Sequence, residues 1–205
     1  MKKPLILFLI IGLAILVMAN SAQATSLSFS PASQEVALGS PVTVDLMISG
    51  LGNGTAPSLG TFDLDVSFDP AILSLNGVFF GDPTLGDQLD LTGFGLLLPP
   101  VSTPGVGSVN LFELSLDSAQ DIDLLQNSSF ILASLTFGSI GVGITDLGIT
   151  INNLGDSMGE SLTADVDSGS VTVAGAPIPE PATVLLLAAG LGGLGFVRRR
   201  RILGI

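Results

Sequence analysis

Three pairs of aspartates, Asp63 and Asp65, Asp121 and Asp123, and Asp165 and Asp167, stand two residues apart. Carboxylates supply the hard oxygen ligands that Ca²⁺ takes, and on an extended strand residues i and i+2 share one face. Each pair could therefore act as a unit. The solvated face of a sheet produces the same pattern unaided, and no complete Asp-x-Asp-x-Asp-Gly loop is present. Asp165 and Asp167, set in a loop-like stretch, are the best Ca²⁺ candidates, and no other metal or cofactor is expected. Paired carboxylates can also divide acid and base roles in glycoside hydrolysis. The chain has no Trp or Tyr to stack on a sugar ring, only Phe, so catalysis is not expected.

Other chemistries fail for want of a residue. With no His and no Cys, the chain cannot build a Ser-His-Asp or Cys-His nucleophile, a thiolate or imidazole metal site, or a redox disulfide. All six basic residues lie at the ends, Lys2 and Lys3 at one and Arg198 to Arg201 at the other. Every one of the 18 acidic residues except Glu180 lies between Glu35 and Asp167. A domain without cations cannot neutralise phosphates, so nucleic acid is excluded as a partner.

The ends carry addresses. "MKKPLILFLIIGLAILVMANSAQA" places two lysines before an apolar run and closes on Ala22-Gln23-Ala24. That is a secretory signal, predicted helical, with cleavage after Ala24. At the other end Ala182 to Val197 is free of charge. As a helix it measures about 24 Å against a hydrocarbon core of about 30 Å, a short transmembrane helix. The arginines behind it should stay cytoplasmic, leaving the acidic domain outside. Gly190, Gly192 and Gly195 spell GxGxxG, but with no strand before them they read as small residues for close helix contact.

Pro179-Glu180-Pro181, the short apolar stretch and the cluster Arg198, Arg199, Arg200 and Arg201 resemble the PEP-CTERM sorting signal of exported bacterial proteins. The resemblance implies an exosortase-type membrane protease as a partner. It also implies transient anchoring in the inner membrane, then delivery to the cell surface or extracellular matrix.

Between the addresses, strand patterns follow one another. Val42, Val44, Leu46 and Ile48 fall on one face, and Phe62, Leu64, Val66 and Phe68 alternate more cleanly with Asp63, Asp65 and Ser67, which is the period of a half-buried strand. Further strands are predicted at residues 26–30, 72–80, 109–116, 129–137, 143–151 and 169–173. No long helical period intervenes. The fold class is all-β, an antiparallel sandwich or jelly roll of one domain. Three regions follow: a signal peptide at 1–24, the sandwich at 25–175 and the sorting signal at 176–205. The stretch 81–107 has no clear pattern.

"SFSPASQEVALGSPVTVDLMISGL", "LGTFDLDVSFDPAILSLNGV", "SFILASLTFGSIGVGITDLGITI" and the closing "DSGSVTV" resemble the cohesin family, jelly rolls that receive dockerin modules in cellulosome scaffolds. The most specific segment is Phe68-Asp69-Pro70 followed by Ile72-Leu73. The resemblance implies a non-enzymatic module for protein assembly or adhesion, its protein partner unknown. The alternative is a carbohydrate-binding module acting on exopolysaccharide.

Overall fold

A computed structural model describes residues 24–94, 98–175, 187 and 189–191. The chain divides into two compact units, Met1–Ala174 and Gly175–Ile205. In the second, Leu187 and residues 189–191 are helical and exposed. The expected signal helix and most of the expected transmembrane helix lie outside the described residues. Among the described residues no helix is long and apolar enough to cross a membrane.

The first unit is a two-sheet β-sandwich. Its strands are β1 (Ser26–Ser30), β2 (Ser33–Ala37), β3 (Pro41–Ser49), β4 (Leu59–Ser67), β5 (Leu73–Phe80), β6 (Val101–Gly105), β7 (Ser108–Leu114), β8 (Ser129–Ser139), β9 (Gly143–Asp156), β10 (Asp165–Val166) and β11 (Gly169–Ala174). One helix, α1 (Ala119–Leu125), joins β7 to β8. The five-stranded sheet runs β10-β1-β3-β8-β5 and the six-stranded sheet β2-β11-β9-β4-β7-β6.

The expectation of a wholly antiparallel sandwich needs correction. β1 pairs with β10, and β2 with β11, in parallel. The chain enters along β1 in one sheet, crosses, and continues as β2 in the other, so each sheet takes one entering strand. Closing strands from the end of the domain lie beside them in the same direction. Parallel partners this far apart in sequence leave no hairpin signal, and β2, β6 and β10 are short or exposed.

Alternation decides what is inside. Val42, Val44, Leu46 and Ile48 from β3 meet Phe62, Leu64 and Val66 from β4, all at most 1% exposed. Transfer of such side chains from water contributes roughly 1.5–3 kcal/mol each. Phe68 packs edge-to-face on Phe137 at 5.1 Å, and Phe62 stacks with Phe80 at 6.4 Å.

Phe68 to Leu73 forms the corner at which the chain leaves one sheet for the other. Pro70 has no N–H to offer a ladder. The Asp69 carbonyl accepts from the N–H groups of Ile72 and Leu73, its carboxylate from the N–H of Ala71, and its own N–H donates to Thr145 Oγ1. The segment is specific because its residues do different things. Phe68 puts a ring in the core, Asp69 caps the turn, Pro70 stops the ladder, and Leu73 begins the next strand.

Residues 81–94 form a strap that polar groups tie down. Asp82 accepts from the N–H groups of Thr84 and Leu85 and reaches β8 through the N–H of Ile131. Asp117 holds the N–H of Leu91 and the hydroxyl of Thr92. The short helix α1 is capped by Ser118, whose Oγ accepts from the N–H of Asp121 and donates to its carboxylate at 2.6 Å.

Candidate functional site

The outer face of the six-stranded sheet carries a cluster of four polar side chains. On β4, alternation turns Phe62, Leu64 and Val66 inward and so turns Asp63 and Asp65 outward. β7 and β9 flank β4 on either side and contribute Asn110 and Asn152. The Asn110 amide donates to Asp63 Oδ1 at 2.6 Å and to Asp65 Oδ1 at 2.9 Å. The Asn152 amide donates to Asp63 Oδ1 at 3.1 Å and to Asp65 Oδ2 at 2.9 Å.

Register explains the arrangement. Asn110 lies directly opposite Asp65, where cross-strand side chains meet. Asn152 has no such partner. The ladder between β4 and β9 steps from Asp63↔Asn153 to Leu64↔Ile151, leaving Asn152 as an extra residue at a bulge. A bulge re-aims one side chain, and here that side chain is the amide between the two carboxylates.

The electrostatic result is a carboxylate pair held by neutral donors. Hydrogen bonds from Asn152 and then Asn110 hold the Asp65 carboxyl below its ordinary range, outweighing slight desolvation. Two carboxylates side by side repel, and amide dipoles offset that cost without cancelling the charge. Fixed acceptors on the outer face of a sheet suit a partner that brings N–H, ammonium, guanidinium or hydroxyl donors.

A second acidic group lies on the other side of the same sheet. Glu113, on β7, points inward and is 4% exposed. Burial, the nearby charge of Asp87, a hydrogen bond with Asp87 and the charge of Asp90 push its carboxyl up to about 9. It is a protonated acid at neutral pH. The Asp63–Asp65 pair and the protonated acid thus face opposite ways across the sheet, unlike the two carboxylates of a hydrolase, which flank one bond.

The other sequence candidates fare differently. Asp121 and Asp123 are not on a strand but on α1, where residues two apart diverge by about 200°. Asp121 accepts from the hydroxyl of the capping Ser118 at 2.6 Å, and Asp123 accepts from Ser58 at 2.5 Å and Ser157 at 2.8 Å. The "DSAQDIDLL" stretch hid this, since about two helical turns carry too few apolar residues to show a period. Asp165 and Asp167 form and follow β10, and their N–H groups donate to the carbonyls of Thr25 and Leu27. Among the described residues no group of three or more acidic side chains is arranged to hold a metal ion. Ala24 is described and exposed, whereas Ala22, Pro179, Glu180, Pro181 and Arg198 to Arg201 lie outside the described residues.

Sequence reasoning had Asp63 and Asp65 but missed Asn110, Asn152 and Glu113. "VNLFEL" does alternate Val109, Leu111 and Glu113 on one face, so an acid in a core position was the available signal for Glu113.

Comparison with known proteins adds two findings. Residues 177–201 match the PEP-CTERM protein-sorting motif. No curated protein matches the chain. Among solved structures, the sandwich is similar to the seventh ScaB type I cohesin of Pseudobacteroides cellulosolvens, at 16% identity over 77% of this chain and 96% of that one, TM-score 0.57. It is also similar to the sixth cohesin of scaffoldin B of Acetivibrio cellulolyticus, determined in complex with a dockerin, at 20% identity, 74% and 99% coverage, TM-score 0.56. A non-cellulosomal cohesin of the archaeon Archaeoglobus fulgidus aligns at 17% identity, 74% and 91% coverage, TM-score 0.52. The fold is that of a cohesin.

Proposed function

We propose that this is an exported, non-enzymatic assembly module. Its PEP-CTERM signal directs it to the cell surface, and its sandwich binds a protein partner through the outer face of β9-β4-β7. The observation that carries the binding role is the half-buried Asp63–Asp65 pair on the outer face, braced by Asn110 and Asn152. A solitary surface carboxylate moves freely and contributes little to recognition. Four side chains locked by their neighbours lose little entropy when a partner docks. The similarity to cohesins, one of them in complex with a dockerin, supports a folded protein as that partner.

The matched motif at 177–201 supports a sorting route of this kind. Residues 1–24 are removed as a signal peptide, and the apolar segment behind Pro179-Glu180-Pro181 holds the chain in the inner membrane. Arg198 to Arg201 keep the end cytoplasmic until an exosortase-type protease releases the domain.

The test uses residues 25–174 as bait against the extracellular fraction of the native host, beside the double variant Asp63→Ala, Asp65→Ala. A discrete protein retained by the wild type and lost by the variant supports the assignment. Retention of polysaccharide alone, or of the same protein by both baits, overturns it. The intact mass of the mature native protein tests the route separately, and a form still ending in Ile205 sinks the processing step.

A further inference from the structure

The first residues of the sandwich are held tightly. Thr25 is 6% exposed, and its carbonyl accepts from the N–H of Asp165 at 2.9 Å. β1 and β10 then run in parallel, with Ser26 opposite Asp165 and Leu27 opposite Val166. Ala24, Thr25, Leu162, Thr163, Ala164 and Asp165 line one cavity of about 270 Å³. On the opposite side the chain lies against bare backbone: a Cβ on Gly50 would stand 2.2 Å from the Ala24 carbonyl oxygen.

Hydrolysis after Ala24 changes the chemistry of this corner. Water adds across the Ala24–Thr25 amide, Ala24 leaves as a carboxylate, and the Thr25 nitrogen takes up a proton to become an ammonium. That group is the first cation in a domain whose side chains include no Lys or Arg. It arises where the backbone already joins Thr25 to Asp165.

We infer that Asp165 is the docking site of the mature N-terminus, receiving the Thr25 α-ammonium in an ion pair that exists only after the signal peptide has been removed. The inference rests on cleavage after Ala24. It gives Asp165 a role other than holding Ca²⁺. Of the charged groups on the segments around Thr25, β10 supplies Asp165 and, just beyond it, Asp167; Gly50, Leu162, Thr163 and Ala164 bring none. Asp167 is aligned instead with Leu27, whose carbonyl takes its N–H. Cleavage thereby adds a tie between β1 and β10 at the edge of the five-stranded sheet, where the paired strand is only two residues long.

The buried core lies wholly between Leu27 and Val173, within one compact unit, so residues 25–174 can be tested alone. The α-amino group is titrated by NMR in the wild type, Asp165→Asn and Asp167→Asn, at low salt and in 1 M NaCl. In the wild type its pKa should lie at least about half a unit above the ordinary value of roughly 7.7–8.0, and salt should reduce the rise. Asp165→Asn should abolish the rise and Asp167→Asn should keep most of it. A wild-type value at or below the ordinary range, or one that Asp165→Asn leaves unchanged, overturns the inference. Should the variant fail to fold, α-N-acetylation of the wild type serves instead: a lowered Tm supports the pair, and an unchanged Tm overturns it. N-terminal sequencing of the native protein tests the cleavage position independently of these titrations.

Discussion

Gln126 acts on Leu59 as a further strand would. Its Oε1 accepts from the Leu59 N–H at 2.6 Å and its Nε2 donates to the Leu59 carbonyl at 2.9 Å, both buried. The same Nε2 donates to the carbonyl of Gln88 at 2.9 Å, and Gln88 in turn accepts from Asn127. One side chain thus fastens the start of β4, the end of α1 and the strap at 81–94.

Gln126→Leu keeps the volume and removes the three bonds that the Gln126 amide makes to Leu59 and Gln88. Leaving a buried backbone donor and acceptor unpaired costs about 1–3 kcal/mol each, so the variant should lose about 3 kcal/mol or more. Urea unfolding checks this. A loss below about 1 kcal/mol would mean that water replaces the amide.

Glu113 makes stability fall with rising pH. Its folded pKa of about 9 lies far above its ordinary value of 4.5, so between those values the folded state binds the extra proton. Stability is then full below pH 4.5 and declines toward pH 9, at up to about 1.4 kcal/mol per unit. Glu113→Gln, neutral at every pH, should flatten that decline in thermal melts from pH 5 to 9. Parallel slopes for variant and wild type would contradict the assignment.

Asp65 acts in the opposite sense. Its carboxyl is held below the ordinary range, so its contribution is present above that range and is lost as pH falls through the lowered value. Asn152→Ala removes the larger of its two supports. Its carboxyl resonance should then titrate at higher pH, by NMR, with the fold intact; an unmoved titration would show that Asn152 does not brace the pair.

The uncompensated carboxylates should make the domain salt-dependent. Screening reduces repulsion among like charges, so Tm should rise from low to moderate NaCl and further with CaCl₂. A flat response to both would show that the charges are too far apart to matter.

Gly107 sits at φ 71° in the β6–β7 turn, where an added Cβ would lie 2.9 Å from Pro70 Cδ and 3.0 Å from the Phe68 carbonyl oxygen. The Phe68 N–H donates to the Gly107 carbonyl at 2.9 Å. Gly107→Ala combines a disfavoured backbone with a clash at the sheet-crossing corner and should cost about 1–3 kcal/mol. An unaltered Tm would count against the corner's rigidity.

Much of the architecture was legible beforehand because alternation is local. Val42 to Ile48 and Phe62 to Phe68 face inward as their period requires. The eight predicted strands correspond to β1, β3, β4, β5, β7, β8, β9 and β11. The sorting signal was readable for a similar reason, since its motif and charge cluster are contiguous in sequence, and residues 177–201 match the family.

Residue order along the chain therefore settles everything that depends on near neighbours: an all-β domain, its inward faces, its lack of cations and its address. The rest is settled only by the closed sandwich. Whether Asp63 and Asp65 are bridged depends on a bulge that turns Asn152 toward them, on a strand separated from β4 in the chain by β5 to β8. Whether Glu113 keeps its proton depends on a strap that brings Asp87 beside it. Pairing register and desolvation arise when the two sheets close on each other, and spacing along the chain does not encode them.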